Sequence, residues 1–122
     1  MNIPAAMICT AVLMSPIRIA NDPRIVLLEV TAYTASQEEC GKSDGITASG
    51  VMVDIGHAAA PRQVPFKAKV YSPKHGWLTV TDRGGAIHGR RLDVYVPEVS
   101  AAKKWGRQRI PIIIPNGIEW PE

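Results

Sequence analysis

Short runs of β-branched and aromatic residues recur along this chain, each closed off within a few positions by glycine or proline. That punctuation limits the fold more than any other feature. The 122 residues include ten glycines and ten prolines, spread out rather than gathered in one tract, which suits short strands and turns and not disorder. "RIVLLEVTAYTA" (24–35) starts as a continuous apolar run and becomes alternating, with Val26, Leu28 and Val30 on one face and Leu27 and Glu29 on the other. Further strands are expected over 46–56 (interrupted by Gly50), 66–72, 75–82 and 90–96. In the last of these Leu92, Val94 and Val96 face one way, Asp93 and Tyr95 the other. A final strand spans 109–115, where Pro111 points to an edge or a bulge. Between the last two, residues 97–108 read as a short helix. Pro97 and Glu98 suit its start, Lys103 and Lys104 its end, and Val99, Ala102 and Trp105 share a stripe that Gly106 can close. Six short, regularly spaced strands and one short helix make an all-β chain, most simply a small barrel.

One domain suffices for this length, and 46% hydrophobic residues is ordinary for a packed globule. A net charge of +3 is too mild for a nucleic-acid partner. Two cysteines, Cys9 and Cys40, offer no zinc spacing, and His57, His75 and His88 match no metal motif, so surface or structural roles are assigned to them. No metal and no cofactor is implied. Residues 1–22 form a separate stretch whose apolar core lies between Pro4 and Pro16. It reads either as an export signal, lacking a basic residue before the core, or as an arm that packs on the domain or a partner. If it is kept, a Cys9–Cys40 bridge is open. The barrel then occupies 23–115, and 116–122 read as a loop extension.

The unusual stretch is "TDRGGAIHGRRLDVYV" (81–96), which sets Asp82 and Asp93 at the edges of hydrophobic runs, among glycines and arginines. Aspartate is a poor strand former and is seldom buried without a partner. Either the pair closes a salt-bridged hairpin, with Asp93 meeting Arg91, or it forms a site that handles protons.

"TAYTAS" (31–36), "ITASG" (46–50), "AAPRQVPFKAKVY" (59–71), "DRGGAIHGRRLDVYV" (82–96) and "AAKKWGRQRIPIII" (101–114), in this order and spacing, resemble the 3D domain family. That family is named for three aspartates and shares its fold with A-type membrane-bound lytic transglycosylases and stationary-phase survival muralytic proteins. The resemblance covers roughly 29–114 and implies a six-stranded double-psi β-barrel. It implies Asp93 as the catalytic acid and Asp82 as its neighbour in a cleft. The third family aspartate falls at Ala60, and the family's Gly-Thr before the K-V-Y strand is replaced by Lys67 and Ala68. The substrate implied is the peptidoglycan glycan strand, cut at the β-1,4 bond between N-acetylmuramic acid and N-acetylglucosamine by one acid that turns base. Such an acid must enter protonated, although a free aspartate titrates near 3.9. Burial and the Asp82 charge would raise that value, and a facing arginine would lower it. By the same resemblance Tyr33 and Thr47 line the cleft, and Gly84 and Gly85 let the backbone approach the sugar. Arg90, with Arg91, points away or meets the glycan's peptide carboxylates. Trp77, Trp105 and Trp120 are candidate sugar platforms, Trp77 the best placed because Trp105 continues the helix stripe. The implied setting is the cell envelope, the periplasm or the exterior, or a phage virion, with a virion or envelope protein as a further partner. The alternatives are a non-catalytic, expansin-like polysaccharide-binding barrel, which the loss at Ala60 fits, and a structural virion component.

Overall fold

The computed structural model describes residues 23–35, 45–84 and 86–122. The expectations for residues 1–22, for Cys9 and Cys40, and for Gly85 lie outside the described residues. Among the described residues six strands are formed: β1 (Arg24–Tyr33), β2 (His57–Ala59), β3 (Lys69–Ser72), β4 (Gly76–Asp82), β5 (Arg91–Tyr95) and β6 (Arg107–Ile114). Among the described residues one helix, α1 (Val99–Trp105), precedes β6. The strands close into a barrel in the order β1-β5-β2-β4-β3-β6. Two parallel pairs, β1–β5 and β2–β4, sit in an otherwise antiparallel ring. This is the double-psi β-barrel, all-β apart from one short helix.

Period-two alternation builds the interior. Val26, Leu28 and Val30 of β1, Leu78 and Val80 of β4, Leu92 and Val94 of β5, and Ile110, Ile112 and Ile114 of β6 all belong to one buried cluster. Fully burying each such side chain stabilises the fold by about 1.5–3 kcal/mol. Pro111 pairs with Leu27 in the long β1–β6 ladder. Its missing N–H is tolerated because the other flank of β6 meets β3 at a single pair, Tyr71 with Ile113. Trp120 is also buried in this cluster, and its indole N–H donates to the Gly89 carbonyl at 3.2 Å. The tail after β6 is thus a loop extension that docks on the barrel through Trp120, which the burial removes from the candidate sugar platforms.

Some boundaries differ from the sequence expectation. Residues 46–56 carry only an isolated bridge, Ile46 to Met52, around a turn in which the Gly50 N–H bonds the Thr47 carbonyl at 2.9 Å. The strand lies just beyond, at His57–Ala59, where β4 and β5 pair with it from either side. Strand β3 begins at Lys69 rather than 66, after a turn closed by the Ala68 N–H on the Pro65 carbonyl. The helix begins after Glu98, so Pro97 precedes its cap, and it ends at Gly106, whose φ of +66° suits a residue without a β-carbon. The Trp105 N–H anchors α1 to the barrel by donating to the Val30 carbonyl at 2.9 Å.

Candidate functional site

The outer face of the parallel β1–β5 pair carries three cross-strand pairs in register: Glu29 with Arg91, Thr31 with Asp93, and Tyr33 with Tyr95. They follow from alternation, because Val30, Leu92 and Val94 take the inner positions. The Thr31 hydroxyl donates to Asp93 Oδ1 at 2.8 Å. The two tyrosine rings meet edge to face at 5.9 Å. Arg91 faces Glu29 at 4.0 Å, and Arg107 approaches the other Glu29 oxygen at 3.1 Å. Glu29 thus gathers the cations at one end of the row, with Asp93 in its middle.

Asp82 reaches this face through a bulge. In strict alternation after Leu78 and Val80 it would point into the core. Instead the β2–β4 register shifts: Ala58 pairs with Val80, but Ala59 pairs with Asp82, leaving Thr81 as the extra residue. A bulge re-aims the side chain that follows it, and Asp82 turns outward beside Ala59. The price is local, since the Thr81 hydroxyl is buried without a hydrogen-bond partner. Ala59 also pairs with Asp93 across the β2–β5 ladder. The two aspartates therefore flank one alanine on three adjacent strands, with α-carbons about 10 Å apart by two strand spacings. Ala59 packs with Tyr33, Ile87, Val53 and Tyr95 in a small apolar cluster under the site, separate from the main core.

Both Asp82 oxygens accept hydrogen bonds. Oδ1 takes the backbone N–H groups of Ala48 at 2.8 Å and Arg83 at 2.9 Å, and Oδ2 takes the Tyr33 hydroxyl at 3.2 Å. The Thr47–Gly50 turn is docked here twice, since the Ser49 N–H also bonds the Thr81 carbonyl at 3.1 Å. An open cleft of about 180 Å³ results, whose lining includes Tyr33, Thr47, Ala48, Val53, Asp82 and Arg83. The Arg83 guanidinium bonds the Val64 carbonyl at 2.5 Å and the Asp82 carbonyl at 3.2 Å, and lies 4.0 Å over the Phe66 ring. Partial burial, and then the charge of Arg62, hold its pKa below the usual arginine value, against an opposing pull from Asp82. Gly84 is needed for close approach, because a β-carbon there would stand 2.8 Å from Ile87 Cγ1.

Of the residues expected from sequence, Asp82, Tyr33 and Thr47 share this cleft, and Asp93 lies beside it across Ala59. Gly84 borders the adjoining cleft with Arg83. Arg90 does not join them. It pairs with Glu122 at 3.5 Å and lines a different depression with Leu27, Glu29 and Arg109. Trp77 is 61% exposed at the far end of β4, edge to face with Tyr71, five residues or about 17 Å along the strand from Asp82. Ala60 is fully buried in the main core. His75 packs on Trp105 and contacts the Ser72 hydroxyl at 2.9 Å, and its burial lowers its pKa. His57 Nδ1 accepts the Asp54 N–H at 3.1 Å, a loop-closing contact. Among the described residues no three His, Cys, Asp or Glu side chains cluster as metal ligands, and no helix is long and apolar enough to cross a membrane. Thr31 and Ala48 are not singled out by the sequence, whereas Arg83 stands out there only as a cation next to Asp82 that could depress a neighbouring carboxyl's pKa. Thr31 was within reach, two residues before Tyr33 and so on the same face.

A double-psi barrel with two aspartates on the outer face of its parallel strands defines the class. Residues 56–115 match the 3D domain, and the chain belongs to that family. It is similar to YabE of Bacillus subtilis (strain 168), a protein named for cell wall shaping, at 35% identity over 98 residues, 76% of this chain and 23% of that protein. It is also similar to YocH of the same organism, named as cell wall-binding, at 36% identity over 91 residues, 70% of this chain and 31% of that protein. The chain thus spans about a quarter to a third of the length of the curated relatives it matches.

Proposed function

We propose that this chain works on the cell wall, in the envelope or outside the cell, and that it cuts the glycan strand of peptidoglycan as a lytic transglycosylase. The observation that carries the reading is the bulge at Thr81, which turns Asp82 onto the same face as Asp93 beside an open cleft. A core that needed only packing would have no use for two outward carboxylates flanking a single alanine.

In the proposed reaction Asp93 gives its proton to the glycosidic oxygen as the bond to the muramic acid C1 breaks. Asp82, held by three hydrogen bonds, lends fixed negative charge to the cationic sugar. The muramic acid 6-hydroxyl then attacks C1, and the Asp93 carboxylate takes its proton. The products are an anhydro sugar end and a free 4-hydroxyl, and no water is consumed. The Thr31 hydroxyl holds Asp93 in place. The test is digestion of purified cell walls, followed by clearing and by mass spectrometry of released anhydro-muropeptides. Wild type should release them, and Asp93→Asn should lower release by at least about 100-fold while still folding. Equal release by both proteins would remove Asp93 from the chemistry.

A second reading, binding without cleavage, is favoured by Ala60, which puts a methyl group in the core where the family carries its third aspartate. It predicts co-sedimentation with walls, no released fragments, and little effect of Asp93→Asn.

A further inference from the structure

Beside the Asp82 cleft lies a second one of about 310 Å³, lined by Arg62, Gln63, Arg83, Gly84, Ile87 and His88. Among the described residues its lining carries no carboxylate. Arg83 borders both clefts and so joins them into one surface. The two arginines differ in how they are held. Arg83 is pinned by the Val64 and Asp82 carbonyls and by the Phe66 ring. Arg62 is exposed on the turn after buried Pro61. They are close enough for the charge of Arg62 to disfavour the charged form of Arg83. Two cations on one concave surface repel each other, Asp82 offsets only part of this at Arg83, and a bound anion would relieve the rest. A guanidinium already fixed in orientation loses little freedom on binding, and its planar fork matches a carboxylate.

We propose that the Arg62–Arg83 cleft is an anion subsite that holds a carboxylate of the peptide stem attached to the glycan in the neighbouring cleft. The assignment rests on the glycan reading above. It moves carboxylate recognition from Arg90, which is paired with Glu122 on another part of the barrel, to Arg62 and Arg83. A stem carboxylate is favoured over a free anion because it is tethered to the same polymer, which raises its local concentration beside the cleft.

The test measures wall binding by sedimentation, using the Asp93→Asn protein so that turnover does not alter the substrate. Three wall preparations serve as probes: intact, with stem carboxylates converted to amides, and with wall phosphate polymers removed by acid. Arg62→Gln should weaken binding to intact walls about five- to tenfold, and amidation should weaken the parent to a similar degree. Arg62→Gln should then lose nothing further on amidated walls, and phosphate removal should change neither protein. Arg62 is exposed, so its replacement leaves the fold intact; Arg83→Gln, which also loses the Val64 and Phe66 contacts, is a supporting variant. If Arg62→Gln loses affinity equally on intact and amidated walls, or if only phosphate removal matters, the carboxylate assignment is overturned. Because binding is read without cleavage, a failed digestion assay would remove the transglycosylase reading and leave this outcome standing.

Discussion

Replacing Lys67 by glycine should stabilise the protein, although it deletes a charged side chain and adds nothing. Lys67 is the one described residue other than glycine with positive φ, at +76°. Its position is dictated from outside the turn. Its N–H donates to the Val80 carbonyl at 2.7 Å, the next residue accepts from the Val80 N–H at 2.8 Å, and the Ala68 N–H closes back on Pro65. The backbone thus clips onto β4 just before the bulge, and the clip demands a left-handed residue. For a residue with a β-carbon that conformation costs about 1–2 kcal/mol. Glycine removes this cost but adds about 0.5–1 kcal/mol of unfolded-state entropy. The expected net gain is about 0.5–1 kcal/mol, or about 2–4 °C in Tm for a domain of this size. Thermal unfolding followed by circular dichroism, with urea unfolding as a second measure, reads the difference. Lys67→Ala is the control: it removes the same amine but keeps the β-carbon, and should stay within about 0.5 kcal/mol of wild type. If alanine stabilises as much as glycine, charge rather than backbone strain is responsible. If glycine destabilises, the turn does not hold the left-handed conformation in solution.

Two more expectations follow from the site and the helix. Gly84→Ala should cost about 1–3 kcal/mol in urea unfolding, because its β-carbon would displace Ile87 from the apolar cluster under the aspartates; a neutral result would show that the loop yields instead. His75, half-buried against Trp105, has its pKa lowered by desolvation from a starting value of 6.5. The unfolded chain therefore binds this proton more readily, so the contribution is present above pH 6.5 and is lost as pH falls from there through the lower folded value. Stability should decline on acidification below about pH 6.5, and His75→Gln should flatten that part of the profile; an unchanged slope would clear His75 of the effect.

The parts of the fold readable from sequence were those in which local pattern and tertiary role agree. Strands β1, β5 and β6 show their inner faces as runs of alternating Val, Leu and Ile, and α1 shows its stripe and its glycine stop. Strand β2 was hidden because "HAA" has no alternation and little strand preference. It is extended only because β4 and β5 supply partners on both sides. Conversely, Ile46, Thr47, Val51 and Val53 look like a strand, but Gly45 and Gly50 bend the segment into a turn with φ values of +74° and +92°. Within the site, Asp82 and Asp93 stood out by composition, and Tyr33 and Thr47 came with the motif resemblance. The facing of Asp82 was not legible, since "WLTVTD" alternates smoothly and gives no sign of the register shift. Trp77 lies away from the cleft, and of the two alternatives for Arg90 the geometry takes the one that points away, because a strand or loop residue shows its type in sequence but not which quadrant of a closed barrel it will occupy.

The register shift in β4 has a consequence for how such a chain can change. Deleting Thr81 would let the ladder run evenly and would remove an unsatisfied buried hydroxyl, so a search for stability alone would favour the shorter strand. Deletion would also seat Asp82 directly after inward-facing Val80, at an outward position, so the ladder could be evened without burying the carboxylate. What would bury Asp82 is the other way of evening the ladder, a one-residue slip in pairing that keeps Thr81 and sets Asp82 two places after Val80.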